Sequence, residues 1–391
     1  MTASNPELVI PLIIGGKEDN GSSTFDVVSA TTGKVCWKAA SASSEDAIRA
    51  VEAAKKAFPS WSKVKPREKQ KILFKTADIL ESRSTEYGNI MQMEMGGAAS
   101  PVHGFILPTG EGHSAMIWKE PYGVILGIGP FNAPFALGMR AAATAIATGN
   151  TTVLKGSELT PKCYWALGKV FHDAGLPAGV LNIIYVKSAD GAAVTNTIIR
   201  HPAVRKINFT GSTDVGSKIA QSRHRMYHRG AREFWSDISR LQEVVAKALS
   251  EGASSLLGDT EQLKPKETDG TSPVVFTPMI IGDIKEDMPL WRDENFGPVV
   301  AYMIAKSDEE AIDMANDTEY GLSAAVFTQD LRKGFTIAKQ LESGAVHINS
   351  MSVRDEPALP MGGVKKSGWG RFNTVLGMEE FLVAKSVTWD D

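Results

Sequence analysis

Cysteine is scarce in this chain, whose only thiols are Cys36 and Cys163 among 391 residues. Two cysteines are too few for a disulfide framework, so nothing in the sequence indicates an oxidising compartment. An excess of charge of one sign is also lacking, because 42 Lys and Arg stand against 45 Asp and Glu, for a net charge of −3. This balance argues against nucleic acid or an anionic membrane as a dedicated partner.

Long hydrophobic runs are absent as well. No apolar stretch approaches the roughly 20 residues of a membrane-spanning helix. The apolar residues 8–14 contain Pro11 and follow no basic segment, which predicts a strand rather than a signal peptide. With 43% hydrophobic and 22% charged residues, the composition is that of a soluble globular protein, and without a targeting signal the expected location is the cytosol. At roughly 150 residues per domain, the length predicts two or three domains. The lack of a spanning run and the balanced charge predict no membrane partner.

Strand and helix patterns alternate from residue 121 onward. Strands are predicted at 124–128, 151–154, 181–186 and 204–209, and helices at 134–147, 160–174 and 189–200. Such alternation with short loops is typical of a parallel sheet covered on both faces. Before it, two packing helices are predicted, the first capped by Ser43 and ended by Pro59. A second α/β region follows residue 239.

An Arg/His-rich stretch interrupts this order. Residues 222–232 hold four Arg and two His without apolar periodicity. One interpretation is an anion-binding or nucleic-acid-binding patch, and the other is an exposed junction without function. We favour the junction, because one short basic run on an acidic chain is weak evidence.

Two turns after predicted strands suit a dinucleotide. In residues 209–216, free N–H groups at a helix start, glycines and hydroxyls together favour a diphosphate. Lys155 and Glu158 follow the second strand. A carboxylate at a strand end can accept both hydroxyls of an adenosine ribose and repels a 2′-phosphate, which favours NAD over NADP. Taken alone, the first turn is also compatible with an ordinary helix cap, and the second with a surface ion pair.

Seven motifs occur in order along the chain. They are PFNAP (130–134), KGSE (155–158), AGLPAGVLN (174–182), FTGST (209–213), ENFGP (294–298), NDTEYGL (316–322) and PMGGVKKSGWGR (360–371). Together they resemble the aldehyde dehydrogenase superfamily, over nearly the whole chain. The branch that the chain most resembles acts on aromatic aldehydes such as salicylaldehyde or vanillin. The resemblance implies an α/β protein with a Rossmann-type NAD-binding domain, an α/β catalytic domain and a small-molecule aldehyde as partner.

The resemblance also implies roles for individual residues. Asn132 matches the side-chain amide of the oxyanion hole, which stabilises a tetrahedral oxyanion. The residues that match cofactor contacts are Lys155, Ser157, Glu158, Gly211, Ser212, Thr213, Asp214, Val215, Gly216, Glu294 and Phe296. The implied cofactor is NAD rather than NADP, and no metal is implied.

The two reacting groups of the family are missing from their expected place. The family chemistry needs a cysteine thiolate that attacks the aldehyde and a glutamate that activates water. Both belong between Ser212 and Glu294, where the chain is shorter than the family by about 70 residues. No Gly-Gln-x-Cys or Leu-Glu-Leu-Gly-Gly segment occurs there. We therefore predict a truncated catalytic domain and impaired catalysis.

Few residues could replace these groups. Cys36 and Cys163 stand in no matching motif, and we expect Cys163 to be a small packed side chain. Glu94, in Met-Glu-Met-Gly-Gly, resembles the missing glutamate motif but precedes the sheet. Ser222 with a nearby histidine is conceivable, although an unactivated serine is a far weaker nucleophile than cysteine.

The predicted domains follow from the motifs. They are an NAD-binding domain at 1–222 (Rossmann core at about 121–221, shortened oligomerisation arm at about 105–120), an atypical junction at 223–238, a truncated catalytic domain at 239–372 and a C-terminal oligomerisation segment at 373–391. The resemblance implies a homo-oligomer. We expect the shortened arm to weaken its assembly. Missing strands would leave apolar faces bare, so we expect poor solubility.

Three hypotheses remain open at the level of sequence. The chain is an alternative or misread product of a gene for an intact NAD-dependent aldehyde dehydrogenase, or it is a non-catalytic pseudoenzyme that binds NAD or an intact paralogue. The third hypothesis is an enzyme with different chemistry, for which the sequence offers no positive sign.

Overall fold

The architecture comes from a computed structural model, which describes residues 5–29, 32–94, 114–221, 229–230, 238–258, 260–263 and 276–389. Ser222, most of the Arg/His-rich junction and positions 274–275 of a predicted strand lie outside the described residues. The chain divides into two compact units. Unit 1 comprises residues 1–230, 355–361 and 370–391, and unit 2 comprises residues 231–354 and 362–369.

The strands and helices are numbered in chain order. The strands are β1 Val9–Ile10, β2 Leu12–Ile14, β3 Lys17–Asp19, β4 Ser23–Val28, β5 Val35–Ser41, β6 Ser114–Pro121, β7 Val124–Ile128, β8 Thr151–Lys155, β9 Leu181–Ile184, β10 Val204–Gly211, β11 Arg229–Gly230, β12 Ser254–Leu257, β13 Met279–Gly282, β14 Val299–Ala301, β15 Tyr320–Gly321, β16 Ala324–Val326, β17 Val346–Ile348, β18 Val364–Lys365 and β19 Leu382–Trp389. The helices are α1 Ser44–Ser62, α2 Pro66–Ser82, α3 Ser84–Glu94, α4 Pro134–Ala147, α5 Pro161–Asp173, α6 Gly191–Arg200, α7 Thr213–Gln221, α8 Ile238–Ser250, α9 Pro289–Arg292, α10 Asp308–Asn316, α11 Leu331–Ala338 and α12 Thr374–Glu379.

The main sheet of unit 1 has the order β11-β10-β7-β8-β9-β2-β3. Strands β10, β7, β8 and β9 run parallel, and the β2–β3 hairpin adds an antiparallel edge. Helices α4, α5 and α6 connect successive parallel strands. All five residues of β7 are buried, as a strand covered on both faces requires. The predicted alternating α/β architecture is therefore confirmed.

The predicted end of the first helix is wrong. The first helix was expected to end at Pro59, but α1 continues through Pro59 to Ser62. Proline removes one backbone donor in the last turns of this helix. The apolar face continues beyond it, because Trp61 is buried and its indole N–H donates to the carbonyl of Ile146 at 3.1 Å. This tertiary contact outweighs the local cost of the proline.

The C-terminal strand and helix of unit 1 pack on its parallel sheet. Phe381, just before β19, is fully buried against Ile125 of β7. Asn150 donates its side-chain amide to the carbonyl of Phe381, and buried Lys206 of β10 is paired with Glu380. Strand β19 then pairs antiparallel with β6 over eight residues.

Unit 2 contains small sheets in the orders β12-β13-β14, β15-β18 and β16-β17. Its buried cluster forms between α8 and β13, around Val245 and Ile281. Large apolar side chains elsewhere in unit 2 are highly exposed, including Val353 at 85%, Ile304 at 83% and Phe327 at 73%. Within the described ranges of the whole chain, no helix combines the length and apolar character needed to cross a bilayer.

Candidate functional site

The ends of three neighbouring strands define an edge of the parallel sheet in unit 1. Phe209 of β10, Ile128 of β7 and Lys155 of β8 are Cα partners in one row across these strands. The chain runs from β7 through β8 to β9 and then returns to the other side of β7 as β10. Ligands of open α/β sheets bind where the strand order reverses in this way, outside the carboxyl ends of the strands.

Ser212 caps the helix that leaves this edge. Its Oγ accepts a hydrogen bond from the backbone N–H of Val215 at 3.2 Å, and its carbonyl accepts from Gly216 N at 2.9 Å. Since the hydroxyl oxygen is the acceptor in the cap, its proton remains available for another acceptor. Asp214 and Val215 are exposed in the first turn, whereas Gly211, Ser212 and Gly216 are buried.

A buried hydroxyl at the same helix start lacks a partner. Oγ1 of Thr213 is buried and, among the described residues, makes no hydrogen bond. The first N–H groups of a helix also have no partner within the helix and carry its positive end. A diphosphate placed at Ser212 and Thr213 would accept from these groups. The residues at this helix start therefore fit the diphosphate of a dinucleotide.

The loop after β8 presents two charges of opposite sign. In the described part of the chain, neither the ammonium of Lys155 nor the carboxylate of Glu158 has a hydrogen-bond or ion-pair partner, although both are only partly exposed. Ser157 is buried and shapes the turn, because its Oγ accepts from Leu159 N at 3.2 Å. Glu158 is thus left free to accept ribose hydroxyls, and Lys155 to donate to them.

Asn132 lies on the loop between β7 and α4 and is exposed. It therefore belongs to the same sheet edge as Lys155 and Ser212. An amide in this position can donate a hydrogen bond to an oxyanion. The two remaining predicted contacts, Glu294 and Phe296, lie in unit 2 on the loop between α9 and β14, where Phe296 is 37% exposed.

Both cysteines belong to the core of unit 1. Cys163 is fully buried on α5, and Cys36 on β5 is 1% exposed, with its Sγ donating to the carbonyl of Val27 at 3.2 Å. Burial raises the pKa of the Cys36 thiol to about 12 and that of Cys163 well above its usual value. A thiolate is the nucleophilic form, so neither residue is a nucleophile in this environment.

Glu94, the other candidate for a missing group, caps a helix. It is 3% exposed, and its two carboxylate oxygens accept from the backbone N–H groups of Lys162 and Cys163, at 2.9 and 3.0 Å, at the start of α5. The indole of Trp37 donates to it at 3.0 Å. Burial raises the pKa of Glu94 to about 7. These contacts give Glu94 a role in folding rather than in water activation.

Comparison with known proteins decides the family. The sequence model of the aldehyde dehydrogenase family matches residues 17–106, 96–234 and 235–387. This chain belongs to the aldehyde dehydrogenase family. It is 34% identical to a vanillin dehydrogenase of Pseudomonas sp. strain HR199, over an alignment of 478 positions that covers 97% of each chain. It is 28% identical to a salicylaldehyde dehydrogenase of Pseudomonas putida, with 95% of each chain covered.

Solved structures of the family share the fold. A salicylaldehyde dehydrogenase from Pseudomonas putida G7, crystallised with salicylaldehyde, superposes with a TM-score of 0.87 at 27% identity, covering 98% of this chain and 99% of that one. Aldehyde dehydrogenase C from Pseudomonas syringae, crystallised with NAD and octanal, gives a TM-score of 0.86 at 26% identity and 96% coverage of both chains. The aldehyde dehydrogenase fold is therefore shown.

Tyr164 of α5 is a contact at this sheet edge that sequence interpretation did not identify. It is fully buried, and its hydroxyl donates to the carbonyl of Pro130 at 2.7 Å, on the loop that carries Asn132. One sequence signal is Gly156 beside Lys155, because a glycine between two predicted cofactor contacts indicates that another group approaches the backbone there.

Proposed function

We propose that this aldehyde dehydrogenase chain binds NAD but does not oxidise aldehydes through a thiohemiacetal. The observation that carries the proposal is the burial of both cysteines in unit 1, whereas the predicted dinucleotide contacts Lys155, Glu158 and Ser212 lie at one edge of the parallel sheet. NAD would supply the hydride acceptor of the family reaction. Without a thiolate to form the covalent intermediate, the chain lacks the step that precedes hydride transfer.

We also propose that this chain has lost the segment that carries the catalytic residues of the family. An alignment of 478 positions with a relative exceeds the 391 residues of this chain, so it opens gaps in the chain. The sequence between Ser212 and Glu294 contains no cysteine. Both facts support the loss of the segment that carries the family's cysteine and glutamate. In an intact form of this protein, we infer oxidation of an aromatic aldehyde, the class named in its vanillin and salicylaldehyde relatives.

NAD is the proposed cofactor, and NADP is disfavoured. The carboxylate of Glu158 accepts ribose hydroxyls and repels a 2′-phosphate. Lys155 and the start of α7 supply the cationic and dipolar groups for the remaining anionic atoms. Glu294 and Phe296 are proposed to contact the nicotinamide half.

Calorimetric titration of the full chain with NAD, NADP and AMP tests this assignment. We expect saturable binding of NAD and AMP and weaker binding of NADP. A Lys155→Ala variant should weaken all three, because it removes a shared contact. Failure of the wild-type chain to bind any of these nucleotides would refute the proposed function.

Two further inferences complete the proposal. A non-catalytic chain that keeps its family fold is suited to pair with an intact paralogue, because the resemblance to the family implies an oligomer. A cytosolic location, and the lack of nucleic-acid and membrane partners, remain predictions from the sequence. Co-purification with a full-length homologue would support the pairing.

A further inference from the structure

Tyr164 contacts two of the three loops that carry the predicted contacts of unit 1, the loop after β7 and the loop after β8. It lies on α5, whose start is held by the carboxylate of Glu94. Its hydroxyl reaches the carbonyl of Pro130 at 2.7 Å, two residues before Asn132. The same side chain packs on the loop after β8, which carries Lys155 and Glu158.

Three glycines make room for this ring. A Cβ built on Gly156 would lie 2.5 Å from the ring of Tyr164, and one on Gly129 would lie 2.3 Å from its hydroxyl oxygen. On Gly138 of α4, a Cβ would lie 2.8 Å from the ring. Real Cβ atoms do not approach so closely, since interiors are packed near van der Waals contact. The backbone of both loops is therefore closed around one side chain.

We propose that Tyr164 is a positioning residue that fixes the Asn132 loop and the Glu158 loop relative to each other. A rigid side chain with one buried hydrogen bond links the loop after β7 to the loop after β8, so neither can move without breaking that bond or displacing the ring. Nucleotide binding then needs no prior ordering of these loops, which lowers its entropic cost. The effect on NAD rests on the function proposed above, whereas the coupling of the loops does not.

The chain contains a matched control for the hydroxyl. Tyr185 is also fully buried, and its hydroxyl donates to the carbonyl of Pro11 at 2.5 Å. Tyr164→Phe and Tyr185→Phe each remove one buried hydrogen bond from a tyrosine to a proline carbonyl. Both should lower the melting temperature to a similar extent, so stability alone does not distinguish them. Only Tyr164→Phe removes a contact with a candidate site loop.

Hydrogen exchange of the chain without ligand tests the coupling. In Tyr164→Phe, we expect amides in residues 129–133 and 155–160 to exchange about tenfold faster, the scale of one lost hydrogen bond. In Tyr185→Phe, these amides should exchange as in the wild type. The proposal is overturned if the amides of both loops exchange at the same rates in the two variants, or if their rates do not change in Tyr164→Phe. Either result counts whatever the chain binds.

Nucleotide affinity provides the second measurement. With AMP and NAD as probes, Tyr164→Phe should raise the Kd about three- to tenfold, and Tyr185→Phe should leave it unchanged. Equal Kd values in wild type and Tyr164→Phe contradict the positioning role while leaving nucleotide binding intact. If the wild type binds neither probe, the proposed function fails, and the exchange measurement still decides whether Tyr164 couples the loops.

Discussion

At the residue scale, we propose that Glu158 selects between the two nicotinamide cofactors. Its carboxylate is partly exposed and has no protein partner within the described residues, which suits it to accept ribose hydroxyls. We predict that Glu158→Gln shifts the ratio of NADP to NAD affinity toward NADP by about tenfold, because the charge that repels the 2′-phosphate is lost. Titration with both nucleotides measures the ratio.

The matched control for this change is Glu45→Gln, in the exposed first turn of α1. It removes the same charge from the surface of unit 1 without touching the sheet edge. An unchanged affinity ratio in Glu158→Gln, or an equal shift in both variants, would show that Glu158 does not select the cofactor.

Glu94 predicts how stability depends on pH. Burial raises its pKa from 4.5 to about 7, so folding favours its protonated form. The free energy of unfolding should therefore fall as the pH rises from about 4.5 to about 7, by up to about 3 kcal/mol from this residue, and then level off. Glu94→Gln, which is neutral at every pH, should lack this contribution in urea unfolding.

Glu18→Gln is the control for that experiment. Glu18 also accepts a tryptophan indole N–H, from Trp165 at 3.0 Å, but this contact is exposed. The unfolding of this variant is measured at the same pH values, so that the effect of removing an exposed carboxylate that accepts an indole N–H is known. If Glu94→Gln keeps the wild-type profile instead, Glu94 does not titrate in this range.

At the scale of the element, the start of α7 carries two roles through Ser212. Its Oγ caps the helix by accepting from Val215 N, and we propose that its hydroxyl proton is donated to the diphosphate of NAD. Ser212→Ala should lower the free energy of unfolding by about 1 kcal/mol and also weaken NAD binding. Thermal melts and titration measure the two effects.

Ser307 gives a matched cap in unit 2. It caps α10 through Glu310 N at 3.2 Å, the same distance as in the cap of α7. Ser307→Ala should cost similar stability and leave NAD affinity unchanged. If the two variants have the same Kd for NAD, Ser212 is only a cap.

Sequence patterns predicted the strands and helices of the parallel sheet well, but they predicted other secondary-structure elements poorly. The runs at β7 and β8 are continuously apolar and bounded by turns, so their type and place were predictable. Strands β4 and β5 were missed, because Ser23–Val28 mixes polar and apolar residues without a clear period. The end of α1 depended on the burial of Trp61, and the contact of Tyr164 with Pro130 joins residues 34 apart. Such long-range contacts leave no local signal.

At the scale of the whole molecule, unit 2 exposes more large apolar side chains than a stable surface favours. Val353, Ile304 and Phe327 are 73–85% exposed. That lost strands leave apolar faces bare stays a prediction, and these side chains are the residues on which to test it. We predict that the chain binds a hydrophobic dye under native conditions and that changing these three residues to Thr lowers dye binding and raises the soluble yield.

Phe74→Thr serves as the control for this prediction. Phe74 is a single exposed apolar residue on α2 of unit 1, with 59% exposure, and isolated residues of this kind are normal on protein surfaces. Its substitution should change neither measurement. A wild-type chain that binds no dye and melts reversibly as a monomer would contradict the prediction.

The central claim concerns the whole chain: it binds NAD but lacks the nucleophile of its family. The most direct measurement incubates the purified chain with NAD and an aromatic aldehyde, vanillin or salicylaldehyde, and follows NADH formation by its absorbance. The account predicts no NADH above that of a sample without aldehyde, although titration shows bound NAD. Formation of NADH that depends on the aldehyde would contradict the account. This holds whether the activity survives when both cysteines are replaced by serine or is lost when either cysteine is replaced.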